Sequence, residues 1–172
     1  MKKLYPYIII FFSISLISLL VFLPFSFKGK KEDTFLADSL FILSIKYFSL
    51  KDYHLSLKIT RRLVDIQPDY GMNLFNLAFL YEIISEFDSA IIYYERCINV
   101  DPEIYAAYYR VGRLYLMKGD FNEGVSYLRS AIHLNPFFLD AYKELSKALF
   151  ATGDIRGYKE INERIKSLEN KR

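Results

Sequence analysis

The chain has 172 residues, a formal net charge of +3 and one cysteine, and 52% of its residues are hydrophobic. Seven glycines, five prolines and 17% aromatic residues predict a packed chain and argue against a disordered one. The small charge argues against a nucleic-acid-binding surface, and the single cysteine excludes an intramolecular disulfide and a multi-cysteine metal site.

The first feature in chain order is a long apolar run. No charged residue lies between Leu4 and Phe27, a stretch of 24 residues. As a helix this run would extend about 36 Å, which exceeds a hydrocarbon core of roughly 30 Å. A cleaved signal peptide is the alternative, but its apolar region is usually shorter, and "VFLPFSFKGK" offers no small-residue cleavage site. The sequence therefore predicts an uncleaved, single-pass transmembrane anchor at residues 4–27.

The charges around this run leave its orientation open. Two lysines precede the run and three follow it closely, which is nearly a tie under the positive-inside rule. A short tail before an N-terminal anchor is typical of a signal-anchor protein. This favours an extracytoplasmic domain, periplasmic if the source is bacterial, with the cytoplasmic side as the alternative. We assign residues 28–36 to a short linker and residues 37–172 to the folded domain.

Periodic prolines divide that domain. Pro68, Pro102 and Pro136 are spaced 34 residues apart, and each follows an aliphatic residue and one polar residue. A fixed period of this size is typical of repeat architectures, in which each unit buries its apolar face against its neighbours. The period defines four repeats, at residues 37–70, 71–104, 105–138 and 139–172.

Each repeat has the pattern of two helices. Apolar residues at repeat positions 4, 7 and 11 share one helical face, while position 8 is always small, which allows a second helix to approach closely. A turn and an acidic residue follow, and the second helix ends at the proline, which cannot continue it. The small residues are Ser44, Ala78, Gly112 and Ser146, and the turns begin at Lys51, Ser85, Gly119 and Gly153.

These columns resemble the tetratricopeptide repeat family, which also has small residues at positions 20 and 27 and proline at 32. The second and third repeats match best. The first departs at Ser56 and Thr60, while the last helix is heavily charged, as suits a terminal repeat that faces water. The resemblance implies an all-α solenoid of four helical hairpins, which here follows one N-terminal transmembrane helix.

No pattern of an active site accompanies the repeats. His54 and His133 lie in the second helices of different repeats, without cysteine or carboxylate at metal-ligand spacing. Cys97 occupies a column of small residues, which predicts a core position. The sequence therefore predicts neither an enzyme nor a bound metal or cofactor.

The resemblance also implies a binding site. In this family the first helices line a concave groove that binds an extended peptide or a helix of a partner. Carried over, the groove is apolar in the first two repeats and basic in the last two. Its implied residues are Phe41, Ile45, Phe48, Phe75, Asn76, Phe79, Ile83, Tyr109, Arg110, Arg113, Lys143 and Lys147.

The family's carboxylate clamp for chaperone C-termini is matched only in part. Asn76 and Arg110 occupy two of its places, whereas Phe41, Ile45 and Ala106 do not fit the others. Docking of a chaperone tail is therefore not expected.

Two functions remain from the sequence. The first is a membrane-tethered protein-protein interaction adaptor, or scaffold, in envelope protein assembly or recruitment. Its partner would be a membrane protein or a segment with apolar and acidic residues. The second is a structural self-association module that forms a homo-oligomer through exposed aromatic surface.

Overall fold

The computed structural model describes residues 33–170. The expected anchor at residues 4–27 and residues 28–32 of the expected linker lie outside this range, whereas residues 33–36 of that linker belong to the first helix. Within 33–170, no helix combines the length and apolarity needed to cross a membrane.

The described residues fold into helices without strands, which confirms the all-α solenoid. Consecutive helices pair into four hairpins, and each hairpin packs on the next in chain order. The eight helices within 33–170 are α1 (33–49), α2 (Tyr53–Ile66), α3 (Gly71–Ile83), α4 (Phe87–Val100), α5 (Tyr105–Lys118), α6 (Phe121–Leu134), α7 (Leu139–Ala151) and α8 (Ile155–Glu169).

The turn inside each hairpin has the same backbone conformation. A residue with positive φ ends each first helix: Lys51 at 62°, Ser85 at 66°, Gly119 at 88° and Gly153 at 80°. These are the positions at which the sequence predicted turns. Asp52 and Asp154 then cap the next helix through their carboxylates. The corresponding acidic residues of the two middle turns make no such side-chain bond.

The hairpin of α5 and α6 shows why the helices lie so close. An added Cβ at Gly112 would lie 2.9 Å from Leu128 Cγ and 3.0 Å from the carbonyl oxygen of Gly124. A Cβ at Gly124 would in turn lie 2.5 Å from Leu116 Cδ2. Real Cβ atoms essentially never lie closer than 3.0 Å to such neighbours, so the absence of side chains at Gly112 and Gly124 allows the spacing between these two helices.

The hairpin of α1 and α2 replaces this close approach by buried hydroxyl groups. Thr60 Oγ1 donates to the carbonyl of Ser56 at 2.9 Å, and Ser56 Oγ donates to the carbonyl of Ser44 at 3.0 Å. Ser44 Oγ lies 2.6 Å from Thr60 Oγ1, whose own hydrogen is already used, so Ser44 is the donor there. The hydroxyl groups of Ser56 and Thr60, the two residues at which this repeat departs from the family pattern, thus both find hydrogen-bond acceptors within the hairpin.

Cys97 lies in the core formed mainly by α3, α4 and α5 and is fully buried. Burial raises the pKa of its thiol to about 11, which leaves it protonated and unreactive at neutral pH. The core position predicted from its column is confirmed.

Candidate functional site

The first helices of the first two repeats form a pocket of about 220 Å³ together with α2. We call it the N-terminal pocket. Phe41, Ile45 and Phe48 of α1 are exposed and form its rim. The buried hydroxyls of the first hairpin lie at its base, and they already bond to one another, so a ligand would meet mainly hydrocarbon. The remaining lining residues are Leu63, Asn76, Phe79 and Leu80.

Phe79 connects this pocket to the next repeat. Its ring centre lies 6.0 Å from that of Phe48 on one side. On the other side, the guanidinium carbon of Arg110 lies 4.8 Å from the ring centre, within the range of a cation–π contact. The apolar and the cationic parts of the groove therefore share one aromatic ring.

A carboxylate lies where α3, α4 and α5 meet. Glu82 accepts from Arg110 at 3.1 Å and from the Tyr94 hydroxyl at 2.9 Å, and Arg113 lies 3.9 Å away. Burial, and next the charge of Glu82, raise the pKa of Tyr94, so its hydroxyl remains a donor. We call these four residues the central cluster. Its two arginines share this one internal counterion, so the cluster keeps a net positive charge.

The last two repeats form a second, wider cavity of about 490 Å³, which we call the C-terminal pocket. Lys143 lies 3.1 Å from Glu169, and Lys147 lies 2.9 Å from Glu144. Tyr109 contributes the main aromatic ring of this pocket, packed edge-on against Phe138 at 4.8 Å. The C-terminal pocket is therefore mixed in charge, whereas the Arg and Lys residues alone predicted a basic surface at this end of the expected groove.

Ten of the twelve residues expected in the groove lie in the N-terminal pocket, the central cluster or the C-terminal pocket. Phe75 and Ile83 do not. The Phe75 ring packs edge-on against Tyr94 at 5.3 Å and supports the core. Ile83 is partly buried and lines neither pocket.

Sequence reasoning missed the residue that joins the two halves. Glu82 occupies position 12 of its repeat, the same position as the expected groove residue Phe48 in the first repeat, so the columns contained the signal. Apolar residues, cations and Asn76 were carried over from those columns, but no acidic residue was. No sequence pattern indicated that the hydroxyl groups at the base of the N-terminal pocket bond to one another, because this pairing depends on how α1 and α2 face each other.

Known proteins resemble the chain at the level of the repeat and the fold. The tetratricopeptide repeat family model matches residues 73–104 and 105–138. A search of curated proteins finds no match.

A crystal structure of MamA superposes with a TM-score of 0.75 and 19% identity, over 78% of this chain and 79% of that one. MamA 41-end from Desulfovibrio magneticus RS-1 gives 0.72 and 18%, over 79% and 77%. The first TPR of Spaghetti (RPAP3), bound to the HSP90 peptide SRMEEVD, gives 0.65 and 21%, over 68% and 93%.

At these identities the solved structures establish a common fold. The family model establishes the nature of the repeat within that fold, and it describes no catalytic domain. Residues 73–104 and 105–138 are thus tetratricopeptide repeats, and they lie inside a continuous stack of helical hairpins.

Proposed function

We propose that this protein is a membrane-tethered adaptor that holds a segment of another protein in its concave groove. The observation that carries the proposal is the N-terminal pocket, whose apolar rim is open to solvent next to the central cluster. Exposed aromatic and aliphatic side chains around a concavity favour protein binding, because covering them removes apolar surface from water.

The shape of the pocket favours a side chain or two from a partner segment. A cavity of about 220 Å³ is too small for a whole helix and suits one or two apolar side chains that project from one. Burial of the rim residues Phe41, Ile45 and Phe48 would supply most of the affinity, at roughly 25 cal/mol for each Å² of apolar surface covered. The partner therefore needs an apolar anchor.

The central cluster favours an acidic residue next to that anchor. Such a residue would compete with Glu82 for Arg110 and Arg113, and this internal competition limits what the new ion pair contributes. Charge would therefore set the orientation and the association rate more than the affinity. The solved Spaghetti domain holds a peptide that contains methionine and acidic residues, which is the same combination of chemistry on the same fold.

The anchor proposed at residues 4–27 would place this groove near a membrane. Because α1 already includes residue 33, only residues 28–32 connect it to the anchor. Fully extended, these five residues would reach about 17 Å. The groove would thus work near the bilayer, on partners that are membrane proteins or chains emerging there. An extracytoplasmic side and a role in envelope assembly remain part of this proposal.

Selection from a displayed peptide library, with the full chain in detergent as bait, tests the groove. We expect enriched peptides to combine apolar and acidic residues. Ile45→Ala with Phe79→Ala should abolish their binding, and Arg110→Glu should weaken it in a salt-dependent way. Ile92→Ala is the matched control, since Ile92 is equally apolar and exposed but lies on α4, in the second helix of its repeat. If the Ile92 variant loses binding and the groove variant retains it, the second helices are the binding surface and the groove proposal is wrong.

Mass spectrometry of the protein purified from membranes tests the anchor. An uncleaved span leaves Met1 or Lys2 at the N-terminus. A product that begins near Lys28 would show that the apolar run is a cleaved signal peptide. The proposed membrane anchor would then be wrong, whereas the proposed binding groove would be unaffected.

A further inference from the structure

Helix α1 carries a second apolar surface outside the N-terminal pocket. The side chains of Phe35 and Ile42 are 75% and 68% exposed. They are seven residues apart, which is two helical turns, so they form one stripe along the helix. At ~100° per residue the stripe lies about a quarter to a third of a turn from Phe41 and Phe48, which face the pocket.

Two opposite charges flank this stripe symmetrically. Asp38 lies four residues before Ile42, and Lys46 lies four residues after it, and both are exposed. Within residues 33–170 neither side chain takes part in an ion pair. They are about 12 Å apart along the helix axis, too far to pair with each other.

We propose that this stripe is a docking site for a second copy of the chain, with the two α1 helices packed antiparallel. In a two-fold symmetric contact every pairing occurs twice. If one residue of the first copy contacts another residue of the second copy, the same two residues also make contact with the copies exchanged. With Ile42 on the axis, Asp38 of each copy lies opposite Lys46 of the other, so one contact forms two ion pairs. Phe35 of each copy then covers apolar surface toward the end of the other helix.

The charge pattern selects this arrangement among the ways of pairing two copies. A parallel contact would place Asp38 against Asp38 and Lys46 against Lys46, which is unfavourable on both sides. A head-to-tail contact would bring α1 against α8, whose exposed residues are mostly charged, including Arg156, Glu163 and Lys166. An apolar stripe on such a face would leave charges buried without partners. The antiparallel pair buries the apolar residues and satisfies both charges.

Disulfide trapping in the full chain, in detergent, tests the contact. Ile42→Cys should form several-fold more disulfide-linked dimer than Ile92→Cys, a matched control at an isoleucine that is also well exposed, at 56%. A mixture of Asp38→Cys and Lys46→Cys chains should form more mixed dimer than either chain forms with itself. The native Cys97 is fully buried and serves as the background in the unsubstituted protein.

Charge reversal distinguishes the proposed register from general stickiness of the stripe. Added to the Ile42→Cys chain, Asp38→Lys and Lys46→Asp should each reduce the yield of trapped dimer, and the double reversal should restore the parental yield. Far-UV circular dichroism checks that each variant is folded.

The proposal is overturned if Ile42→Cys traps no more dimer than the control, or if the double reversal stays as low as the single ones. It is equally overturned if the Ile42→Cys chain remains monomeric and its introduced thiol is shielded from thiol reagents, since residues 1–32 or lipid would then cover the stripe.

Discussion

The N-terminal and C-terminal halves of the solenoid form the same hairpin turn with different residues. In the last two repeats a glycine takes the left-handed conformation, at Gly119 and Gly153. In the first two repeats Lys51 and Ser85 take it, although left-handed backbone is costly for residues with a Cβ. The surrounding helix pair therefore determines the conformation of the turn, and the residue type changes only the free-energy cost of adopting it.

The contact between paired helices differs in the same way. Repeat position 8 holds Gly112 in the third repeat, where α5 and α6 meet through backbone atoms. It holds Ser44 in the first repeat, where hydroxyls bridge α1 and α2. A column of small residues thus determines how near the helices come, while the chemistry of the contact varies from repeat to repeat. Four substitutions test how much each of these turns and contacts contributes to stability.

The largest effect is expected from Gly112→Leu. The new side chain would collide with Leu128 and with the backbone at Gly124, which cannot move aside as a flexible side chain would. Overpacking of this kind typically costs about 1–3 kcal/mol. Urea unfolding of the full chain in detergent, followed by circular dichroism, measures the loss. Met117→Leu, an exposed change on the same helix, should leave the midpoint unchanged. Equal midpoints for both variants would show that α5 and α6 separate at little cost.

The sequence was sufficient to predict the repeats, because period, small-residue columns and turns all depend on local spacing. The turn at Ser85 was found by its register with Gly119, although serine alone would not indicate a left-handed residue. The groove was predicted less completely. Arg110 and Glu82 are 28 residues apart, and their pairing depends on how consecutive hairpins stack. Residue types alone therefore overstated the positive charge of the groove, and Phe75 was assigned to a surface although its ring supports the core.

A smaller loss is expected from Ser44→Ala. The change removes the bond to Thr60, whose hydroxyl still donates to the carbonyl of Ser56, so no buried donor is left unpaired. The cost should therefore be that of one net hydrogen bond, about 0.5–1.5 kcal/mol. Ser39→Ala is the control, because Ser39 lies exposed on the same helix. If the two alanine variants unfold at the same urea concentration, the hydroxyl network does not hold the first hairpin together.

The smallest effect, and the only one with opposite signs in the two halves, concerns the turns. Ser85→Gly removes the steric cost of left-handed backbone at a residue with a Cβ, which is about 1–2 kcal/mol. It also raises the conformational entropy of the unfolded chain, which lowers stability by about 0.4–1 kcal/mol. The first term is larger, so we expect a net gain of about 0.5–1 kcal/mol. Gly119→Ser should lose a similar amount. An added Cβ at Gly119 meets no atom within 4 Å, so the backbone conformation alone determines the loss. Thermal unfolding of both variants measures the difference. A destabilised Ser85→Gly protein would mean that chain entropy outweighs backbone strain at this turn, and the two halves would then differ for a reason other than the left-handed residue.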